Sequence, residues 1–151
     1  MKVLAINSSV RKAGNTAILI RHVFEKLVKE GIETETIQLA GQVIEPYRAC
    51  GTCGGQENCV HCRDNFRDIF GKMKEADGIV LGSPVYSANV SANMQALLER
   101  AAVVCDMNLG LLPTRWEPPS WRRAERSGRR ESLFPQSRNG CGGLHLLEYS
   151  I

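Results

Sequence analysis

Hydroxyl, amide and guanidinium side chains are concentrated in residues 8–16, SSVRKAGNT, directly after a short apolar run. A hydroxyl-rich turn that contains glycine and connects a strand to a helix is suited to phosphate, because the first N–H groups of a helix lack intrahelical acceptors and carry partial positive charge. Ser9, Asn15 and Thr16 can add donors, and Arg11 can add a charge-assisted one. The plainer alternative is an ordinary turn in which Thr16 caps the helix.

The same loop argues against two common classes of nucleotide-binding protein. It contains neither the G-x-G-x-x-G sequence of dinucleotide-binding folds nor the Gly-Lys-Ser/Thr ending of a nucleoside triphosphatase P-loop. A monophosphate such as that of FMN therefore fits the loop better than a dinucleotide or a triphosphate.

A second segment, GSPVYSANVS at residues 82–91, follows another apolar run. Pro84 fixes its own φ and biases Ser83 away from helix, so the chain leaves the strand extended and can turn backbone amides toward a ligand. Val85 and Tyr86 offer a flat apolar surface to a ring. The alternative is that Tyr86 only fills a surface gap.

Four cysteines, Cys50, Cys53, Cys59 and Cys62, lie in a Gly-rich stretch. Thiolates at this spacing select zinc or an iron-sulfur cluster. The chain opens directly into a strand pattern with no leader, so we expect a cytoplasmic protein in which thiols stay reduced. A [4Fe-4S] cluster, a zinc ion and an empty loop all stay open, and His61 is expected to be a bystander.

The composition indicates one ordinary globular domain. The 151 residues, 43% of them hydrophobic, are enough to bury a substantial core. The formal charge of +3 is small, and acidic and basic residues are interspersed before position 110, which argues against nucleic acid and membrane partners. No apolar run approaches the roughly 18 residues needed to span a bilayer.

Apolar periodicity predicts alternating strands and helices. The predicted strands cover residues 2–7, 33–39 and 78–82, and the predicted helices cover residues 16–30, 65–74 and 90–104. This alternation predicts an α/β fold, an open parallel sheet with helices on both faces that binds ligands at the carboxyl ends of its strands. On the last helix, Glu99 and Arg100 are expected to be solvated charges and Cys105 a core residue.

The composition changes from about residue 113, where Arg, Ser and Pro dominate and no periodic pattern continues. We therefore divide the chain into a domain over residues 1–112 and an irregular, disordered tail over residues 113–151. The C-terminal strands of the sheet are missing or aberrant, which leaves the strand at residues 78–82 as an exposed edge. One hypothesis is a shifted reading frame, since shifted codons could encode apolar strands there; the alternative is a genuinely divergent C-terminus.

Taken together, the two loops and the cysteines resemble the NADPH-dependent FMN reductase family, most closely its iron-sulfur flavoprotein branch, over residues 1 to about 112. The family's phosphate loop reads Gly-Ser-Pro-Arg-x-x-Gly-Asn-Thr, from which this chain departs at Ser8 and Val10. Its second loop, Gly-Ser-Pro-Val-Tyr-x-x-x-x-Ser, is matched throughout. The resemblance implies a flavodoxin-like fold in which one loop holds the FMN phosphate and the other packs against the isoalloxazine ring. The predicted FMN site consists of Ser9, Arg11, Gly14, Asn15, Thr16, Ser83, Pro84, Val85, Tyr86, Asn89 and Ser91.

The resemblance also bears on the cysteines. In iron-sulfur flavoproteins the spacing Cys-x2-Cys-x2-Cys-x5-Cys would fall at positions 47, 50, 53 and 59, and position 47 here is Tyr47. Three ligand positions match, and Cys62 could supply a fourth thiolate if the loop folds differently. The predicted metal ligands are Cys50, Cys53, Cys59 and Cys62.

By resemblance, the chain is an FMN-dependent oxidoreductase that passes electrons from NAD(P)H or a reduced partner through bound flavin to a small-molecule or protein acceptor. The flavin carries the chemistry, so no catalytic side chain is predicted. The family suggests a homo-oligomer with flavin near the interface. Two alternatives are a non-enzymatic flavin and iron-sulfur electron carrier, and an inactive truncated product that binds FMN weakly.

Overall fold

Strands and helices alternate along the chain, as predicted. The computed structural model describes residues 1–61, 63–108 and 111–112, together with the backbone of residues 146–148. The predicted boundaries of the first six elements agree with the observed ones to within three residues. The elements are β1 (Lys2–Asn7), α1 (Asn15–Lys29), β2 (Glu33–Gln38), α2 (Phe66–Glu75), β3 (Gly78–Ser83), α3 (Ala92–Met107) and β4 (Leu146–Glu148).

The strands form one parallel sheet in the order β2-β1-β3-β4. β1 pairs on both sides, so that Leu4 lies opposite Glu35 of β2 and opposite Ile79 of β3. The chain therefore runs from β1 to β2 on one side of β1, and then crosses over so that β3 pairs with the other side of β1. The predicted open parallel sheet is confirmed, and its topological switch point lies between β1 and β3.

The side chains of β1 alternate between two covered faces. Leu4 and Ile6 belong to the main core, together with Leu81 of β3 and residues of α2 and α3. On the opposite face α1 packs on the sheet, where its Ile20 lies against Gly82. Helices therefore cover both faces, as predicted, and an apolar strand such as β1 is stable at the centre because both of its faces are buried.

The helices follow their apolar periodicity. In α2, Phe66, Ile69, Phe70 and Met73 recur at helical spacing and all four are buried. Cys105 of α3 is buried in the same core, as predicted. Among the described residues, none of the helices combines the length and the apolar character that crossing a membrane requires.

The fourth strand corrects the expectation that β3 is an exposed edge. β4, three residues long, pairs in parallel with residues 81–83 of β3. An unpaired strand edge presents open N–H and C=O groups, so even a short extended segment can pair with it. The rest of the tail, and with it the prediction of disorder and the shifted-frame hypothesis, lies outside the described residues.

Candidate functional site

Both predicted loops leave the sheet at the same edge. The first loop, residues 8–14, follows β1, and the second loop, residues 84–91, follows β3, and these two strands are adjacent and parallel. A hydrogen bond joins the two strand ends directly, because the Ser8 N–H donates to Gly82 O at 2.8 Å. Open α/β sheets bind their ligands in the crevice at such a switch point.

The first loop is held in place by its own polar groups. Asn7 Oδ1 accepts the Ser9 N–H at 3.0 Å, and Ser9 Oγ accepts the Arg11 N–H at 3.2 Å. Arg11 O then accepts the Gly14 N–H at 3.1 Å, which closes a turn before α1. From β2, the side-chain amide of Gln38 donates to Ser9 O. Hydrogen bonds between protein groups therefore hold the loop in its conformation. The Ser9 hydroxyl takes part in them as an acceptor within the loop.

The N-terminus of α1 has no side-chain cap. Gly14 is the N-cap residue, and the first turn contains no acidic residue. The alternative in which Thr16 caps the helix is wrong, because α1 already begins at Asn15. Glycine is favoured at the N-cap, since a Cβ there would lie 3.1 Å from Arg11 Cβ. The first N–H groups of α1, at the positive end of the helix dipole, thus face the edge of the sheet without a side-chain partner.

The second loop is a tight hairpin that presents an aromatic ring. Tyr86 and Asn89 exchange backbone hydrogen bonds of 2.8 and 3.0 Å. Between them, Ser87 and Ala88 have φ of 50° and 62°, which is the left-handed pair of a type I′ turn. Residues with a Cβ are strained in this conformation, so the hairpin tip stores backbone strain. Tyr86, at the base of this hairpin, is 47% exposed.

Two buried serines connect β3 to α3. Ser83 Oγ donates to Pro84 O and accepts the Ser91 N–H, both at 2.9 Å. Ser91 is the N-cap of α3, yet its side chain makes no capping hydrogen bond. In the described part of the chain, Ser91 Oγ is buried and has no hydrogen-bond partner. A buried hydroxyl without a partner is unfavourable, so this oxygen is a candidate contact for a bound cofactor.

The residues of the predicted FMN site lie at this one edge of the sheet, and they differ in how far they are exposed to solvent. The buried serines Ser9 and Ser83 are engaged in hydrogen bonds of the loops themselves. Direct contact with FMN stays a prediction for all eleven residues. Arg11, Asn15, Tyr86 and Asn89 are exposed, Gly14, Thr16, Pro84 and Val85 are half-buried, and Ser9, Ser83 and Ser91 are buried.

The predicted metal ligands lie on the long connection between β2 and α2. We call residues 45–64 of this connection the cysteine loop. Cys53 and Cys59 are buried and Cys50 is half-buried, and among the described residues none of the three forms a disulfide. Hydrogen bonds with Thr52 lower the pKa of Cys50, whereas burial raises the pKa of Cys53. The loop therefore carries thiols in contrasting surroundings.

The described thiols do not fit a four-thiolate centre. A [4Fe-4S] cluster takes four cysteine thiolates, as does a Cys₄ zinc site. The described part of the cysteine loop contains three cysteines, and no group of three or more Cys, His, Asp or Glu side chains in the described residues is arranged to hold a metal. The fourth predicted ligand, Cys62, lies outside the described residues. Position 47 holds Tyr47, whose hydroxyl accepts the Gly51 N–H at 3.1 Å. These residues support no step through a cluster.

Arg100 of α3 corrects another expectation. The sequence predicts a solvated charge, but the Arg100 side chain is 4% exposed and pairs with the Asp64 carboxylate, whose side chain is 2% exposed. The guanidinium also lies over the Phe66 ring, 4.1 Å from its centre. Burial opposes ionisation of Asp64, yet hydrogen bonds from Arg100 and the Glu45 N–H outweigh it and hold the pKa of Asp64 below its usual value. Glu99 is exposed, as predicted.

Sequence reasoning missed the polar residues that brace these regions. Gln38 braces the first loop, and Arg100 with Asp64 braces the cysteine loop. Their partners lie 29 and 36 positions away, so no local motif marks them. One signal was available, because Leu97 and Val104 place Arg100 on the apolar side of α3.

The chain is similar to archaeal flavoproteins. An iron-sulfur flavoprotein of Methanocaldococcus jannaschii is 45% identical over 101 residues, which are 67% of this chain and 52% of that protein. An iron-sulfur flavoprotein of Methanosarcina thermophila is 35% identical over 111 residues, 74% of this chain and 58% of that protein. The chain thus spans about half the length of the curated relatives it matches.

Solved structures share the fold. RosB, solved with bound 8-demethyl-8-formylriboflavin-5′-phosphate, superimposes with a TM-score of 0.55 at 24% identity, over 68% of this chain and 42% of that one. A flavone reductase gives a TM-score of 0.52 at 25% identity, over 66% of this chain and 29% of that one. The sequence profile of the NADPH-dependent FMN reductases matches residues 1–116. The chain therefore belongs to the NADPH-dependent FMN reductase family and has a flavodoxin-like fold.

Proposed function

We propose that this chain binds FMN and acts through it as an oxidoreductase, taking electrons from NAD(P)H or a reduced partner and passing them to a small-molecule or protein acceptor. The observation that carries the proposal is the meeting of two loops at one switch point, one ending at an uncapped helix N-terminus and the other presenting an exposed tyrosine. Membership of the FMN reductase family supports it.

The first loop and α1 supply the phosphate end of the proposed site. The N–H groups of the first turn of α1 have no side-chain cap, and an anion there would satisfy them and interact favourably with the helix dipole. Arg11 and Asn15 are exposed at the same place and can donate further hydrogen bonds. Asn7 and Gln38 keep the backbone in position, so little ordering is needed on binding.

The second loop supplies the ring end of the proposed site. Tyr86 offers an exposed aromatic face and Val85 a half-buried apolar one, and the unpartnered hydroxyl of Ser91 can meet a polar atom. When bound, FMN supplies the redox chemistry, accepting electrons from a donor and releasing them to an acceptor. The side chains of this site bind and orient, and none is assigned as an acid, base or nucleophile.

A second candidate is an electron carrier that does not use NAD(P)H. It is favoured by the curated relatives, which are named iron-sulfur flavoproteins. The two candidates differ in the electron donor. NADPH oxidation that depends on added FMN supports the reductase, whereas flavin that is bleached only by a reduced ferredoxin supports the carrier.

Titration of the full chain with FMN and with riboflavin, followed by flavin fluorescence, tests the shared part of both candidates. Riboflavin lacks the phosphate, so we expect FMN to bind at least about tenfold more tightly. Arg11→Gln should weaken FMN binding and leave riboflavin binding unchanged, whereas Tyr86→Leu should weaken both. Arg21→Gln, also an exposed arginine but within α1, is the matched control. Equal affinity for the two flavins would contradict the assignment of the phosphate end.

A further inference from the structure

The two ends of the cysteine loop meet at a closed neck. The Glu45 N–H donates to Asp64 Oδ2 at 2.7 Å. Just outside this pair, Val43 and Asn65 exchange two hydrogen bonds: the Val43 N–H donates to Asn65 Oδ1 at 2.9 Å, and the Asn65 N–H donates to Val43 O at 3.0 Å. A long loop whose ends are close and which is packed by its own contacts is an Ω-loop. The cysteines of residues 50–59 are thus carried on a compact loop rather than on an open strap.

Arg100 reaches this neck from α3 and binds both of its sides. Its Nη1 donates to Glu45 O at 3.0 Å and to the Asp64 carboxylate. Burial opposes the charge, but interactions with Asp64 and then with Cys59 hold the pKa of Arg100 above its ordinary value. One buried cation therefore binds the start and the end of the loop and interacts with one of its thiols.

The interior of the loop is tied to the same helix. Asn108, at the end of α3, donates from Nδ2 to Cys53 O at 2.7 Å and to Val104 O at 2.9 Å. The side chains of Cys53 and Cys59 are both buried inside the loop. α3 thus holds the cysteine loop at two points, one at the neck and one beside Cys53.

We propose that Arg100 is the positioning residue of the cysteine loop, which closes the neck and keeps Cys53 and Cys59 in their buried positions. The proposal is independent of the proposed function, because Arg100 lies on α3 about 13 Å along the helix axis from Ser91, the residue of the proposed FMN site at the start of that helix.

Charge and shape explain why arginine is required. The planar guanidinium presents several donors in a fixed arrangement and can satisfy a carbonyl, a carboxylate and a thiol at once, while its face stacks on Phe66. A lysine keeps the charge but offers a single compact ammonium group. A methionine fills the volume and leaves the Asp64 carboxylate buried and unpaired, which is strongly unfavourable.

Alkylation of the native full chain tests the proposal. The protein is treated with chelator, its metal content is verified, and N-ethylmaleimide labelling of each cysteine is followed by mass spectrometry. Arg100→Met is expected to raise the labelling rates of Cys53 and Cys59 at least about tenfold, and Arg100→Lys to give an intermediate increase. Glu99→Gln, an exposed charge on the same helix, should leave all rates unchanged.

Cys105 separates a local effect from general unfolding. It is buried on α3 but lies outside the cysteine loop, so its labelling rate reports on the core. Selective labelling of Cys53 and Cys59 with slow labelling of Cys105 supports the proposal. Two results overturn it. One is that Arg100→Met labels no faster than wild type, and the other is that metal-free wild type already labels Cys53 and Cys59 as fast as unfolded protein. If Cys105 also reacts quickly in Arg100→Met, that variant has lost its core and Arg100→Lys is used instead, with slow labelling of Cys105 as the check that its core is intact. Faster labelling of Cys53 and Cys59 in Arg100→Lys than in wild type then supports the proposal, and labelling at the wild-type rate overturns it.

Discussion

Gly82 occupies the place where α1 packs against the carboxyl end of β3. A Cβ there would lie 2.8 Å from Ile20 Cδ1 and 2.9 Å from Thr16 Cγ2. We expect Gly82→Ala to force the Ile20 and Thr16 side chains of α1 to shift and to lower the free energy of unfolding by about 1–3 kcal/mol, measured by urea denaturation. Gly71→Ala is the matched control, because Gly71 is inside α2 and no other described residue comes within 4 Å of a Cβ built there, apart from its chain neighbours and the backbone of the same helix. That change should stabilise by about 0.5–1 kcal/mol. Equal stability of Gly82→Ala and wild type would contradict this packing.

Ala88 sits in a left-handed conformation at the tip of the second loop. Glycine tolerates this conformation without the Cβ penalty of about 1–2 kcal/mol, so Ala88→Gly should raise the free energy of unfolding despite the greater flexibility of the unfolded chain. Ala92→Gly, in the first turn of α3, is expected to destabilise by about 0.5–1 kcal/mol. Thermal unfolding of the two variants should therefore shift in opposite directions. A loss of stability in Ala88→Gly would show that the hairpin tip is not strained.

At the scale of elements, a negative charge added at the N-terminus of α1 is expected to raise the stability of the protein and to weaken FMN binding. Asn15→Asp adds a negative charge to the first turn, which interacts favourably with the helix dipole and should stabilise the protein by about 0.3–1 kcal/mol. The same charge repels a phosphate, so FMN binding should weaken by about tenfold or more. Asn15→Ala separates loss of the amide from gain of the charge. Fluorescence titration and urea denaturation measure the two effects, and unchanged FMN affinity in Asn15→Asp would argue against a phosphate at this helix.

A charge cluster joins β1, β2 and α2. Hydrogen bonds from Lys2, 2.7 Å from the Glu35 carboxylate, and from Lys72 lower the pKa of Glu35 to about 2. The folded pKa lies below the unfolded value of about 4.3, so these contacts stabilise the fold above that pH and lose their effect as the pH falls toward the folded value. Glu35→Gln should therefore reduce stability near neutral pH, and its difference from wild type should shrink below about pH 4.

The pH series needs a control carboxylate. Glu25 is exposed on α1, and its side chain is 3.4 Å from the His22 ring. Glu25→Gln is expected to change stability little at any pH, since exposed ion pairs contribute little. A difference between Glu35→Gln and wild type that stays constant from neutral to acidic pH would contradict the role assigned to Glu35.

At the scale of the whole molecule, the described residues form an apolar groove between α1 and β3. Beside it, residues 78–80 of β3 pair with β1 but with no described strand on their other side. Open strand edges and apolar surface favour association between chains. Leu19→Glu places a charge in this groove and should reduce the increase of sedimentation coefficient with protein concentration. Val28→Glu, exposed elsewhere on α1, should not. Equal association of wild type and Leu19→Glu would exclude the groove as the cause.

The order of elements was predictable because each has a short-range signature. The alternation of apolar strands and amphipathic helices required a parallel sheet, and the handedness and crossover rules then left few topologies. The two loops could be placed at one edge for the same reason, since the carboxyl ends of parallel strands share that edge. The short strand β4 could not be foreseen, because three residues are too few for a periodic strand signature and pairing with an open edge depends on the partner.

By itself, the amino-acid sequence determined the α/β architecture, the two loops at the switch point and the buried face of α2, because these follow from periodicity and turn residues within a few positions of each other. Only the tertiary structure decided that Gln38 braces the first loop, that Arg100 is buried at the neck of the cysteine loop, and that the Ser91 hydroxyl finds no partner among the described residues. The physical reason is that burial and pairing of polar groups depend on contacts between residues far apart in sequence, which local patterns do not encode.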